Sequence, residues 1–298
     1  MLDYLITILL TAGIYAIFAL GLNLEWGFAG LLNFGHVGFM AIGAYATVLL
    51  SIQGVPLPLA VIAGMVLAGA TGAFLGVSTL KLREDYLAIT TIGFSEILRS
   101  MLHNEEWLTR GAFGIHGYPR PLEALVSAQD YNLLLAAIVL IILVAVYAFL
   151  EILIRSPWGR VLKSIREDEE VSKSLGKDVF RYKVQALVLG SMIAALSGSL
   201  LAFYLQYINP DNFEPIETFY AWIMVVLGGS GNNRGTVLGA LLLWGFFSGT
   251  RFMESYLPLS PTAVGALRIM LIGLILIVLM MFRPQGMLGR KEELGLGG

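Results

Sequence analysis

Residues 155–183 read RSPWGRVLKSIREDEEVSKSLGKDVFRYK, a charged island between two long apolar runs, 131–154 and 183–208. It holds eight Lys or Arg residues and five acidic ones, a net charge of +3. The chain around it has 298 residues, of which 57% are hydrophobic and only 13% charged. A soluble domain carries about 25% charged residues, so this chain is built for lipid. A basic loop between apolar runs is cytoplasmic by the positive-inside rule. The reading that follows is an all-α, polytopic transmembrane bundle with one cytoplasmic loop at 154–183.

The rest of the topology works outward from that loop. A span needs about 20 predominantly apolar residues. Clear candidates are 4–22, 28–50, 56–80, 131–154, 183–208 and 264–282, with less regular ones at 87–103, 216–230 and 235–251. The last three are short or carry charge, and are expected to be tilted, broken or partly re-entrant. With 155–183 inside, 131–154 runs inward and the loop 104–130 lies outside. Its charges agree: Glu105, Glu106, Glu123 and Asp130 against Arg110 and Arg120. The KLRED turn at 81–85 falls inside, as does the tail with Arg283, Arg290 and Lys291. The trace gives about nine crossings, with eight to ten as the range, and an external N-terminus. Leu2–Leu22 has no basic n-region and reads as the first span, not a cleaved signal. Residues 1–298 form one membrane domain. The small-residue runs 63–76 and 190–202 read as helix-packing faces.

Composition excludes several functions. With no cysteine there is no disulfide, thiolate metal site or cysteine nucleophile. The net charge of −2 comes with no basic face for nucleic acid. Gly228-Gly-Ser-Gly231, with Asn232, Asn233 and Arg234, is not a phosphate loop, because Walker A needs Gly-Lys-Ser/Thr. The nearest run, Gly176-Lys177-Asp178, lacks the hydroxyl. If ATP drives this protein, a separate subunit supplies the ATPase. No clustered His and carboxylates and no Ser-His-Asp arrangement can be placed, so neither enzyme activity, cofactor nor bound metal is expected.

Within the island, Ser156-Pro157 reads as a helix start. Trp158, Val161, Leu162 and Ile165 follow as one apolar stripe, with Arg160, Lys163 and Arg166 off it. Gly176 suits the left-handed position that ends a helix. The island is therefore expected to form two short helices around an acidic turn. On periodicity alone it is either a solvated loop that sets topology or a displayed docking surface.

Glu170 to Gly176 resembles the E-A-A-x-x-x-G loop of ABC-importer permeases, with Val171 and Ser172 where that family has alanines. The resemblance runs through the chain. Gly21-Leu-Asn-Leu and Gly27-Phe-Ala-Gly30-Leu-Leu-Asn-Phe-Gly35-His36-Val-Gly38 are similar to the early motif of branched-chain amino-acid permeases. Asp85-Tyr86-Leu-Ala-Ile-Thr-Thr-Ile-Gly93-Phe-Ser-Glu96-Ile-Leu-Arg99 resembles the LivM-type subunit more than its LivH-type sister. Gly111 to Pro121, Val226-Leu-Gly228-Gly229-Ser-Gly231 and Arg283-Pro284-Gln285-Gly286 continue it. The external loop departs, with Ala112-Phe113 in place of a Gly-Pro-Asn-like turn. The resemblance is to the LivM-type permease subunit of branched-chain amino-acid ABC importers.

That resemblance implies an ATP-driven importer subunit for Leu, Ile or Val in a bacterial or archaeal cytoplasmic membrane. It implies ATPase subunits docked inside through Trp158, Arg160, Ile165, Glu169, Glu170, Leu175 and Gly176. It also implies a LivH-like sister permease or second copy, and an external binding protein. Alternatives are the same architecture for urea, amides or other amino acids, or an ion-coupled secondary transporter. The last would need an intramembrane carboxylate or His relay. The intramembrane polar candidates are Asn33, His36, Glu96 and Arg99, with Glu25, Glu151, Glu217 and Arg268 nearer span ends. Glu96 and Arg99, at i and i+3, are expected to pair, with Glu96 the only well-buried carboxylate. His36 is expected to bond a backbone carbonyl and not a ligand. Asn23 and Asn33 are expected to satisfy backbone freed at a break near Gly27–Gly30.

Overall fold

A computed structural model describes residues 2–80, 84–123, 126–127, 130–254, 261–282 and 285–289. Lys81 and Arg83 of the expected inner turn, Arg283, Arg290 and Lys291 of the tail, and the Arg268 side chain lie outside the description. The helices are α1 (Leu2–Leu22), α2 (His36–Ile52), α3 (Leu57–Thr79), α4 (Glu84–Asn104), α5 (Glu106–Thr109) and α6 (Tyr131–Arg155). They continue as α7 (Pro157–Glu167), α8 (Glu169–Ser174), α9 (Val179–Leu205), α10 (Pro215–Gly228), α11 (Asn233–Glu254) and α12 (Pro261–Phe282).

Four helices among the described residues are long and apolar enough to cross a membrane, and the most apolar of them is the least buried. The α6 span is the most apolar, with mean hydropathy 3.2, yet only 28% of it is buried. The α9 span has mean hydropathy 2.0 and is 78% buried. Water would drive the more apolar helix inward. Here α6 faces outward with Ile141, Val144 and Ile152 bare, as lipid permits. The chain is a multi-pass membrane protein, with α1 and α9 at its centre and α3 and α6 at its rim.

Close approach of backbones builds that centre. A Cβ on Gly43 of α2 would sit 2.0 Å from the Ala195 carbonyl oxygen of α9, and one on Gly198 would sit 1.9 Å from that of Met40. Only glycine allows two helices so near. The expected packing faces are both used: Gly69 and Gly72 of α3 abut Met192 and Ser191 of α9. The buried hydroxyls of Thr47 and Ser199 pair at 2.8 Å across the α2–α9 contact.

The apolar run 28–50 is not one helix. The first helix carries on past Leu22 as a π-helical turn, Asn23–Phe28. The chain then reverses through Gly30 (φ +72°), and α2 begins only at His36. Hydropathy sees a continuous apolar run because Phe28, Leu31 and Phe34 line the reversal. Beyond the ends of α4 and α9, β1 (Ile115–His116) pairs antiparallel with β2 (Tyr207–Ile208), Ile115 opposite Ile208. This clasp, with the Tyr118 hydroxyl donating to Ala202 O at 2.7 Å, holds residues 115–118 against the end of α9.

Candidate coupling surface and buried polar cluster

The island forms the two expected helices. Pro157 occupies the first turn of α7, but Ser156 does not cap it with its side chain. The Ser156 hydroxyl donates back to Leu153 O at 2.7 Å, closing the end of α6 instead. Asp168 breaks the helix and caps α8, its carboxylate accepting from Val171 N at 2.9 Å. At the other end Gly176 is left-handed (φ +74°), Gly176 N donates to Lys173 O and Lys177 N donates to Ser172 O. These are the two bonds of a Schellman stop.

The apolar stripe faces the body of the chain. Leu162 and Ile165 are buried, and Trp158 is half-buried, its indole N–H donating to Gln185 Oε1 at 2.8 Å. Trp158 and Ile165 therefore anchor α7 and are not displayed to a partner. Gly159 is pressed on α6, where a Cβ would meet Ile154 O at 2.3 Å. Arg160 of α7, Glu170 and Val171 of α8, and Leu175 and Gly176 just after it are among the residues exposed to solvent. Val171 is 51% and Leu175 69% exposed, apolar side chains at the tip of the island that this chain leaves largely uncovered.

Two polar links tie that tip to the spans. Glu169 accepts from Lys183 of α9 at 2.6 Å and from Lys173 at 2.9 Å. Partial burial alone would raise its pKa; the two lysine contacts outweigh that and hold the carboxyl at about 2. Arg166 donates to Gly27 O in the π-turn and to Ser230 Oγ at 3.2 Å in the α10–α11 turn. Sequence reasoning placed Arg166 merely off the stripe. Its partners lie 139 and 64 residues away, so no local pattern signals them.

Inside the bundle, the π-turn gathers a buried polar cluster. Glu25, Asn33 and His36 are each 0% exposed. Asn33 donates to Glu25 Oε2 at 2.8 Å, and His36 Nδ1 lies 3.3 Å from the same oxygen. His36 Nε2 is 3.2 Å from Phe18 O, the expected backbone carbonyl contact. Glu25 Oε1 has no partner. Asn33 Oδ1 accepts from Gly35 N at 3.0 Å and Asn23 Oδ1 from Gly231 N at 2.9 Å. The first satisfies the break as expected; the second reaches across to the α10–α11 turn.

Glu96 and Arg99 pair at 3.0 Å as expected, but in a different setting. They are 39% and 31% exposed, and Arg99 also meets Asp211 at 3.6 Å. Among the described residues Glu25 is fully buried and Glu217 has a buried carboxylate oxygen, whereas Glu96 is partly exposed. The α4 helix lies at the rim, so a polar face there reaches the outer edge.

The family described as branched-chain amino acid transport system / permease component matches residues 4–280. This chain belongs to that family. The probable branched-chain amino acid transport permease protein LivM of Methanocaldococcus jannaschii is 31% identical, over 97% of this chain and 94% of the relative. The high-affinity branched-chain amino acid transport system permease protein LivM of Escherichia coli K12 is 34% identical, over 92% of this chain and 68% of the relative. The LivH permease protein of the same organism is 26% identical over 93% of this chain. A solved structure, PsaBC from Streptococcus pneumoniae in complex with Fab, superposes with TM-score 0.49 at 14% identity over 93% of this chain.

Proposed function

We propose that this chain is the membrane-spanning permease subunit of an ATP-driven importer for Leu, Ile and Val in a bacterial or archaeal cytoplasmic membrane. ATPase subunits dock on the exposed face of α8, a LivH-like sister permease or second copy completes the pathway, and an external binding protein delivers the amino acid. The family match over residues 4–280 carries this reading, and the exposed Val171 and Leu175 support the docking face. An ATPase groove would bury those two side chains, and Glu170 and Arg160 would flank them. Motion of α8 would pass through Glu169 to Lys183 at the base of α9, and through Arg166 to the π-turn and the α10–α11 turn. The chain itself needs no catalytic group, since transport by rocking spans requires only alternate exposure of a site.

The test is uptake and ATP hydrolysis by the assembled importer carrying Glu170→Ala or Gly176→Ala. Uptake is expected to be lost and binding-protein-stimulated ATPase to fall, with membrane insertion unchanged. Normal coupling in both variants would sink the assignment.

A further inference from the structure

Near the external face lies a cavity of about 490 Å³ between the first half of α1, the ends of α9 and α11, and the start of α10. Its size falls in the range of small-molecule sites, about 300–1,000 Å³. Two features set it apart from a packing gap. Its charged lining residues are Asp211, which Arg99 meets from outside the cavity at 3.6 Å, and Glu217, with no Lys or Arg in the lining. It also contains two buried polar atoms without partners: Glu217 Oε2, an acceptor, and Trp244 Nε1–H, a donor. The Tyr15 hydroxyl lies beside the Glu217 carboxylate and interacts with it. An aromatic wall runs from Tyr15 to Trp244, centroids 4.6 Å apart, and on to Phe247 at 5.5 Å. Ile8, Leu201 and Leu205 supply an aliphatic side.

Leaving a buried carboxylate oxygen and a buried N–H unbonded is costly, and each is satisfied by a group of the opposite kind. One ligand class carries both together with an apolar body: an aliphatic α-amino acid in its zwitterionic form. We propose that this outer cavity binds the transported amino acid, with its ammonium on Glu217 Oε2, its carboxylate on Trp244 Nε1–H and its side chain against Ile8, Leu201 and Leu205. The proposal rests on the importer reading and adds the site and its recognition groups. A charge-assisted hydrogen bond fixes the ammonium, and the adjacent aromatic faces favour a cation further.

The chain has no cysteine, so a single introduced one reports on the cavity. Thr11 lines it, and its hydroxyl bonds only carbonyls of its own helix, Thr7 O and Ile8 O. The experiment follows N-ethylmaleimide labelling of Thr11→Cys in the assembled importer, made from otherwise cysteine-free subunits, without the binding protein. Leucine is expected to slow labelling, while 4-methylpentanoate, with the same skeleton but no ammonium, does not. Adding Glu217→Gln should raise the leucine concentration for half-protection about tenfold, the loss of one charge-assisted bond. Trp244→Phe, which keeps the ring and removes the N–H, should weaken protection in the same direction. Equal protection by 4-methylpentanoate, protection unchanged in both variants, or no protection by leucine overturns the proposal. So does a cysteine that labels in the isolated chain but not in the importer, because a sister subunit or lipid then fills the cavity. ATP-dependent leucine uptake by the unsubstituted importer separates the two levels: uptake without protection removes only this site, and no uptake removes the importer reading.

Discussion

Replacing Lys183 by Met should loosen α8 from α9 by an amount that can be worked out. The Lys183 ammonium is 6% exposed and sits 2.6 Å from Glu169, whereas Lys173 is 58% exposed at 2.9 Å. A carboxyl held at about 2 instead of 4.5 corresponds to roughly 3 kcal/mol before screening. About a third of the Glu169 side chain meets solvent, so screening removes a large share of that. With two lysines sharing the remainder and Lys183 the better shielded, its part is about 1 kcal/mol. Met keeps the apolar stem and removes the charge. Amide hydrogen exchange across 171–175 should then speed up about fivefold, the factor that 1 kcal/mol gives in an opening equilibrium. Lys173→Met, an exposed i,i+4 pair on the same carboxylate, should change it by less than about twofold. The Glu169 carboxyl is lowered by folding, so its contribution is complete above about pH 4.5 and fades as pH falls toward 2. The excess exchange of Lys183→Met should therefore be constant from neutral pH down to about 5 and shrink below that. Equal acceleration by the two lysine variants, or none in Lys183→Met, would refute the link.

Gly176→Ala meets open space but must adopt φ +74°, so it should cost about 1 kcal/mol of α8 stability, read in a thermal melt, along with its uptake defect. Arg166→Ala removes bonds to Gly27 O and Ser230 Oγ, about 1.5–3 kcal/mol for hydrogen bonds from a charged donor. It should leave ATP hydrolysis running while uptake falls; coupling at the native ratio would remove Arg166 from the relay. Gly43→Ala places a methyl 2.0 Å from Ala195 O and should abolish the monodisperse folded peak in detergent chromatography. Glu96→Gln breaks an ion pair that is partly exposed, so stability should change by less than about 1 kcal/mol and uptake should persist. Loss of uptake there would put Glu96 on the pathway.

Local features were legible in the sequence and long-range ones were not. The α7–α8 pair could be read because Pro157, the Trp158–Ile165 spacing and Gly176 act within a few residues of themselves. What would cover the apolar face of α7 was not readable from the stripe, since a stripe says which side is buried and not by whom. The Glu25 site shows the same limit. Its polar partners come from the reversal at 29–35, and a hydropathy scan smooths that reversal into a span because its side chains are apolar. Glu96 was taken for the buried carboxylate because it sits mid-run, yet depth along a helix does not say whether that helix is central or at the rim. The glycine-rich faces of α3 and α9 were legible because small residues on a long apolar helix have few other uses.

The brevity of α10 bears on how far a solute must travel under protein control. Along this helix the cavity beside α1 reaches in to Tyr220, and a second cavity of about 400 Å³ at the other end begins at Gly231. Between them lies Ala221–Gly228, eight residues of helix, about 12 Å at 1.5 Å per residue. The hydrocarbon core is about 30 Å thick. On the importer reading, the stretch of α10 between the two cavities is little more than two turns, and Arg166 grips the turn that follows it through Ser230.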